Sequence, residues 1–183
     1  MKNNKGSVLV LLTIIITIIT ILGFTSLHVT LTQYQIRKSN SAVKKAFYLS
    51  ENGLNYAYLQ VFHLICEAAS DSINKADEFL SEESGDIARA SDLFYSNYKL
   101  YIVSNAVNRI CVRSNPQIEI SNRSGLVFVN GKLTIRISSK YLSESGILKV
   151  TSADIIILIP DYEKVKSGAI DFTSLLYFNN FNL

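Results

Sequence analysis

From Gly6 to Ile36 the chain carries no formal charge, and Ile, Leu, Val and Thr dominate it. Apolar density is highest up to Phe24. At about 1.5 Å per helical residue, this run is long enough to cross a hydrocarbon core of about 30 Å. Polar residues then enter gradually, from Thr25 to Gln33, and the first charges after the run are Arg37 and Lys38. From Ala46 onward apolar or small residues recur three or four apart, at Ala46, Leu49, Gly53, Tyr56/Ala57, Val61, Leu64 and Ala68. That spacing marks one face of a helix. Phe47, Leu54, Tyr58 and Phe62 widen the face, and no proline interrupts the chain before Pro116. The pattern predicts one long helix from about Ser7 to the upper sixties. Residues 7–36 form its membrane-inserting part and 37–70 its amphipathic part, which would pack on a sheet.

The stretch from Asp71 to Asp92 is the most polar and acidic. It reads as a short helix, a loop and a further helical turn, so 71–97 is expected to be a connection. From Tyr98 the texture changes to strand. Lys99–Val103 is short and apolar, while Arg109–Arg113 and Gln117–Ser121 alternate. The clearest local signal is Leu126–Ile137, where Asn130-Gly131 separates two alternating runs. Such a dipeptide suits a type I′ turn, which needs positive φ at both central residues. Leu133, Ile135 and Ile137 would face the core, with Thr134 and Arg136 outward. Ile147–Ile159 supplies a further strand ended by Pro160-Asp161, and Ile155–Ile159 is apolar enough to be covered on both faces. The tail from Ala169 to Leu183 carries one charge, Asp171, and the aromatics Phe172, Tyr177, Phe178 and Phe181. It reads as an edge strand or wrap completing the core, with an exposed apolar interaction patch as the alternative reading. The fold class expected is therefore α+β, a long N-terminal helix on an antiparallel sheet, with the sheet domain and tail in 98–183.

Composition adds little to this pattern. The 183 residues suit one modest domain beside the apolar segment. Net charge is +3; removing Lys2 and Lys5 from the 18 basic residues leaves 16, against 15 acidic ones. That balance gives no basic stripe, and no nucleic-acid partner is expected. The two cysteines, Cys66 and Cys111, form no metal-like cluster; one disulfide or two unpaired thiols are both open readings. The acidic cluster does not have the spacing of a calcium loop. His28 and His63 are isolated. There is no Gly-rich phosphate loop, H-E-x-x-H, CxxC or G-x-S-x-G. Neither an enzyme nor a cofactor is expected.

The N-terminus is informative in another way. The apolar run is too long for a cleavable secretory signal, and no A-x-A site ends it. A short basic leader, residues 1–6, ends in Lys5-Gly6 directly before the apolar helix. This resembles the signal of type IV prepilins, in which the prepilin peptidase cuts after the glycine. The segment Ala46-Phe47-Tyr48-Leu49-Ser50-Glu51-Asn52-Gly53-Leu54-Asn55-Tyr56-Ala57 resembles the corresponding stretch of PilX-type minor pilins, and the leader, helix and segment occur in the same order. The resemblance covers about the first 60 residues. It implies a pilin-like fold, cleavage between Gly6 and Ser7, and residence in the cytoplasmic membrane before assembly into an extracellular pilus or pseudopilus. It also implies three kinds of partner: other pilins met through the N-terminal helix, the peptidase, and an inner-membrane assembly platform.

Two departures refine that expectation. The mature chain would start at Ser7 rather than an aromatic residue or Met. The fifth mature position is Leu11, where major pilins carry a Glu that pairs with a neighbouring subunit's N-terminal amine. Subunits lacking this Glu include K-type pseudopilins, which sit at filament tips, so a minor, priming or tip subunit is expected. The alternative is an uncleaved single-pass protein with a partner- or ligand-binding domain. Arg37, Lys38, Lys44 and Lys45 outnumber Lys2 and Lys5, and by the positive-inside rule alone the domain would face the cytoplasm.

Overall fold

The computed structural model describes residues 5–82 and 86–182. The chain divides into two compact units, residues 1–44 and 45–183. Helix α1 (Lys5–Glu82) enters both. Helix α2 follows (Ile87–Ile110), then strands β1 (Gln117–Ile120), β2 (Lys132–Leu142) and β3 (Leu148–Leu158), a short helix α3 (Tyr162–Lys166) and strand β4 (Leu176–Asn182). The four strands form one antiparallel sheet in the order β1-β2-β3-β4. The α+β layout expected from the pattern is present.

In the second unit α1 buries a face of mostly small residues: Ala46, Ser50, Gly53, Leu54, Ala57, Val61, Leu64, Ile65, Ala68, Ala69, Ser72 and Ala76. Small side chains let a helix backbone approach a sheet closely. The tightest point is Gly53. A Cβ there would collide with the Ser139 hydroxyl on β2, and would stand 3.1 Å from Ser139 Cβ and 3.2 Å from Pro116 Cγ. One turn earlier the Ser50 hydroxyl lies 2.6 Å from Thr151 Oγ1 on β3 and donates to the Ser139 carbonyl at 3.2 Å. All three of these polar residues are fully buried; the pairing satisfies the Ser50 and Thr151 hydroxyls, while the Ser139 hydroxyl has no hydrogen-bond partner among the described residues. Higher up, Leu54, Val61, Leu64 and Ile65 join Leu133, Ile135, Ile137, Ala153, Ile155 and Ile157 in the main core.

The strand pattern holds well. Leu133, Ile135 and Ile137 are fully buried, and Thr134 and Arg136 are exposed. Ile155, Ile156 and Ile157 are all buried, as a run covered on both faces requires, while Leu158 and Ile159 at its end are half-buried. The tail forms edge strand β4 on β3, with Leu175 and Leu176 buried and Phe178 stacked on Tyr58 at 5.0 Å. Asn130 and Gly131 take φ of 49° and 76°, and Val129 and Lys132 exchange both backbone hydrogen bonds across them. The expected turn is therefore formed.

Four expectations need correction. The upstream limb of that turn is a single bridge, not a strand. Farther along that edge of β2, Asn122 takes the place of a strand residue: its amide donates to the Thr134 carbonyl and accepts from the Arg136 N–H. Helix α1 does not stop in the upper sixties but runs to Glu82. Its last buried positions, Ser72 and Ala76, are too small to show as an apolar face. Within the expected connection, 83–85 lie outside the described residues, and Asp86 caps α2 by accepting from the N–H groups of Ala88 and Arg89.

The largest difference is α2 itself, which occupies 98–103 and 109–110, where strands were expected; of the rest of the second expected strand, Val112 makes a single bridge to Ile118. Its buried residues are Ala90, Phe94, Tyr98, Ile102, Ala106 and Ile110, each four after the last. Because a turn takes about 3.6 residues, a strict interval of four rotates the buried stripe by about 40° at each step. The stripe winds around the helix, and no fixed apolar face appears. Its start packs with Ala76 and Tyr162, and its later part joins the main core. Within this winding stripe, Leu100–Val103 looks like a short strand because short apolar runs are ambiguous between the two structures.

The Gly53 contact makes a stability prediction. Alanine there gains about 1 kcal/mol of helix propensity but overpacks the helix–sheet seam, at a cost of about 1–3 kcal/mol. Gly53→Ala should lower the thermal midpoint of the full chain in detergent, and the loss should shrink in a Ser139→Ala background. Equal losses in both backgrounds would contradict the contact.

Candidate membrane and assembly segment

The described residues of the first unit, 5–44, are all helical, and those from Gly6 to Ile36 carry no charge. Every residue from Val8 to Ser41 is exposed, including Val8, Leu9, Leu11, Ile14, Ile18, Ile21, Leu22, Phe24 and Leu27. It is long and apolar enough to cross a bilayer. Its threonines would each bring a hydroxyl into that environment. All six in the run donate back to their own helix: Thr13 to Leu9, Thr17 to Thr13, Thr20 to Ile16, Thr25 to Ile21, Thr30 to Ser26 and Thr32 to His28, at 2.7–2.9 Å. These bonds remove the need for water, so the threonines are compatible with lipid.

The expected processing residues lie at the start of this helix. Residues 1–4 of the leader are outside the described residues, while Gly6 and Ser7 fall in the first turn of α1. Leu11, the expected altered docking position, is exposed and offers an apolar side chain to its surroundings. A carboxylate in a membrane helix is costly unless paired, and Leu11 avoids that cost. A Cβ at Gly23 would meet nothing within 4 Å.

The chemistry of the second unit lies in ion pairs that tie elements together. Glu67 on α1 accepts from Arg109 at 2.8 Å and from the Tyr101 hydroxyl at 3.3 Å, linking α1 to α2. Lys140 pairs with Glu119 at 2.6 Å across β2 and β1. Lys166 contacts the Tyr162 hydroxyl and Asp77, joining α3 to α1, and the Tyr162 contact raises its pKa. The most buried of these charges is Asp154, on the sheet face away from α1. Arg136 donates to both of its oxygens, at 2.8 and 3.2 Å, and the Asn180 amide donates to one at 3.1 Å. The Arg136 hydrogen bond holds the Asp154 carboxyl below its ordinary range against a smaller opposing effect of burial. Asn180 has a positive φ of 48°, next to a register irregularity between β3 and β4. The carboxylate thus pins an edge strand where its ladder is imperfect. A charge in the middle of Ala153-Asp154-Ile155 was the available sequence signal, and it needed Arg136 opposite to be read.

Cys66 and Cys111 are free thiols, both half-buried and packed against the main core. The disulfide alternative is not formed in this structure. Burial, and secondarily the Glu67 charge, push the Cys66 thiol up. Among the described residues, no group of three or more His, Cys, Asp or Glu is placed to hold a metal ion. His28 and His63 are far apart in the chain and both exposed. Comparison with family models, with curated proteins and with solved structures finds no match to this chain.

Two outcomes test this description. Asp154 has a lowered folded pKa, so its contribution is complete above the unfolded carboxyl value of about 4 and fades as pH falls through the folded value. Asp154→Asn should lower the thermal midpoint by a few degrees at neutral pH, and its deficit against the parent should narrow below about pH 4. A deficit independent of pH would contradict the pairing. Alkylation of the unfolded, unreduced protein should label both cysteines; a product lighter by two hydrogens with no label would show a bridge.

Proposed function

We propose that this chain is a minor, priming or tip subunit of a type IV pilus or related pseudopilus. The observation that carries the reading is the division of labour along α1. Its first part is apolar on every side and leaves its surface uncovered. Its second part is seated on an antiparallel sheet through small residues. The segment resembling PilX-type minor pilins supplies much of that seat: Ala46, Ser50, Gly53, Leu54 and Ala57 are all buried. The resemblance therefore falls on residues with a physical task.

In this reading a prepilin peptidase cuts after Gly6, and the new N-terminus is Ser7. The apolar helix waits in the cytoplasmic membrane. On assembly it exchanges lipid for the helices of other subunits, through packing rather than through any gain in hydrophobic burial. With Leu11 at the docking position, the subunit lacks the carboxylate that would capture a neighbour's terminal amine. That suits a subunit used rarely or at one end of a filament. The second reading, an uncleaved single-pass protein, draws on the basic residues Arg37, Lys38, Lys44 and Lys45 that follow the apolar run.

Processing separates the two. With a prepilin peptidase present, Gly6→Ala should still be cut and Gly6→Val should accumulate uncut, as read by the size of the membrane-bound product. Equal behaviour of the two variants would count against the pilin reading.

A further inference from the structure

The β2–β3 hairpin carries an exposed apolar tip. Leu142 and Leu148 are cross-strand partners at the last rung before the turn, 55% and 61% exposed. Val150 is two residues along on the same face and is 42% exposed. These three lie on the sheet face away from α1, where the described residues leave them exposed. Leucine pairs at a solvated hairpin end are an uncommon choice, because turns and edges are usually polar.

The direction of this tip is set by two contacts within the second unit. Thr151 meets Ser50, and Lys149 Nζ lies 5.6 Å from the centre of the Phe47 ring. Moving along β3 toward the turn therefore moves back along α1 toward Lys45, where the chain enters this unit. The hairpin tip lies at the entry end of the domain, the end continuous in sequence with the apolar run. That entry is cationic: between Ile36 and Glu51 there are Arg37, Lys38, Lys44 and Lys45 and no acidic residue. Lys149 adds a charge beside Phe47. The opposing charges near the tip are Glu144 in the turn and Glu119, the latter already paired with Lys140.

We propose that the β2–β3 hairpin is a second membrane contact, with Leu142, Leu148 and Val150 seated among the headgroups of an anionic bilayer. Two features select lipid as the occupant. The surface is continuous in the chain with the bilayer-crossing segment, and its basic entry complements anionic headgroups. The contact would hold the domain at the surface before assembly and would have to be released when the subunit leaves the membrane. The proposal rests on the membrane anchoring of α1, which both readings of the function share.

The chain contains no tryptophan, so single tryptophans report cleanly. Three full-length variants, Leu148→Trp, Leu100→Trp and Leu22→Trp, are placed in vesicles of equal parts phosphatidylglycerol and phosphatidylcholine, with or without brominated acyl chains. Leu100 lies on α2 and is as exposed as Leu148, at 67%; Leu22 reports the anchor. The expected result is bromine quenching and blue-shifted emission at positions 22 and 148, with position 100 remaining accessible to acrylamide. Quenching at 22 but not at 148 would overturn the hairpin contact while leaving the anchor intact. A blue shift at 148 without bromine quenching would also overturn it, since the tip would then be covered by protein. No quenching at 22 would overturn the anchoring itself, and the hairpin contact with it.

Discussion

One helix has to satisfy two surroundings, and the rest of the molecule follows from that constraint. Along its first part α1 is left uncovered by the other described residues, so in a bilayer its polar groups would have to be satisfied within the helix. The threonines do this by returning their hydroxyl protons to carbonyls one turn back. Along its second part the same helix must lie close against a sheet, so its inner face is built from alanine, serine and glycine. Neither requirement can be met by the other's residues. Bulky Ile and Leu at positions 50 and 53 would hold the sheet away, and a stripe of Ser and Ala in the first part would reduce the affinity for lipid.

The close approach at Gly53 sets the sheet's position, and the polar seam Ser50–Ser139–Thr151 sets its register against the helix. Antiparallel pairing then carries that placement outward, from β2 and β3 in the centre to β1 and β4 at the edges. The edges need separate fixing. On one side the Asn122 amide mimics a strand residue against β2. On the other, Asp154 holds Asn180 where the β4 ladder is irregular, and Arg136 neutralises it. The aspartate is almost fully buried while its arginine partner is largely exposed. The stabilisation therefore comes mainly from satisfying the buried carboxylate, not from a solvent-exposed pair of full value.

Much of this architecture was legible in the chain because it rests on strong local patterns. The apolar run, the Asn130-Gly131 turn, the alternation of β2 and the continuous apolarity of β3 each point one way. The misread elements lack such a pattern for physical reasons. In α2 the buried stripe winds, so Leu100–Val103 stands out as a strand while the helix around it does not. At the end of α1 the buried residues are Ser72 and Ala76, which carry no hydrophobic signal. The upstream limb of the turn was expected from alternation at Leu126–Val129, but Leu126 turns into the core while Val127 and Val129 are left exposed. Asp154 and Gly53 matter through partners distant in sequence, Arg136 and Ser139, and only the fold brings each pair together. Gly6, Ser7 and Leu11 stand apart from this comparison: the roles proposed for them are in processing and assembly, which one folded chain does not display.

The central claim is that α1 begins its working life as a processed assembly helix. Its most direct test is the mass of the mature N-terminal peptide from cells with and without prepilin peptidase. The account predicts a start at Ser7 that appears only when the peptidase is present. An N-terminus at Met1 or Lys2 in both strains would contradict it and leave an uncleaved single-pass protein.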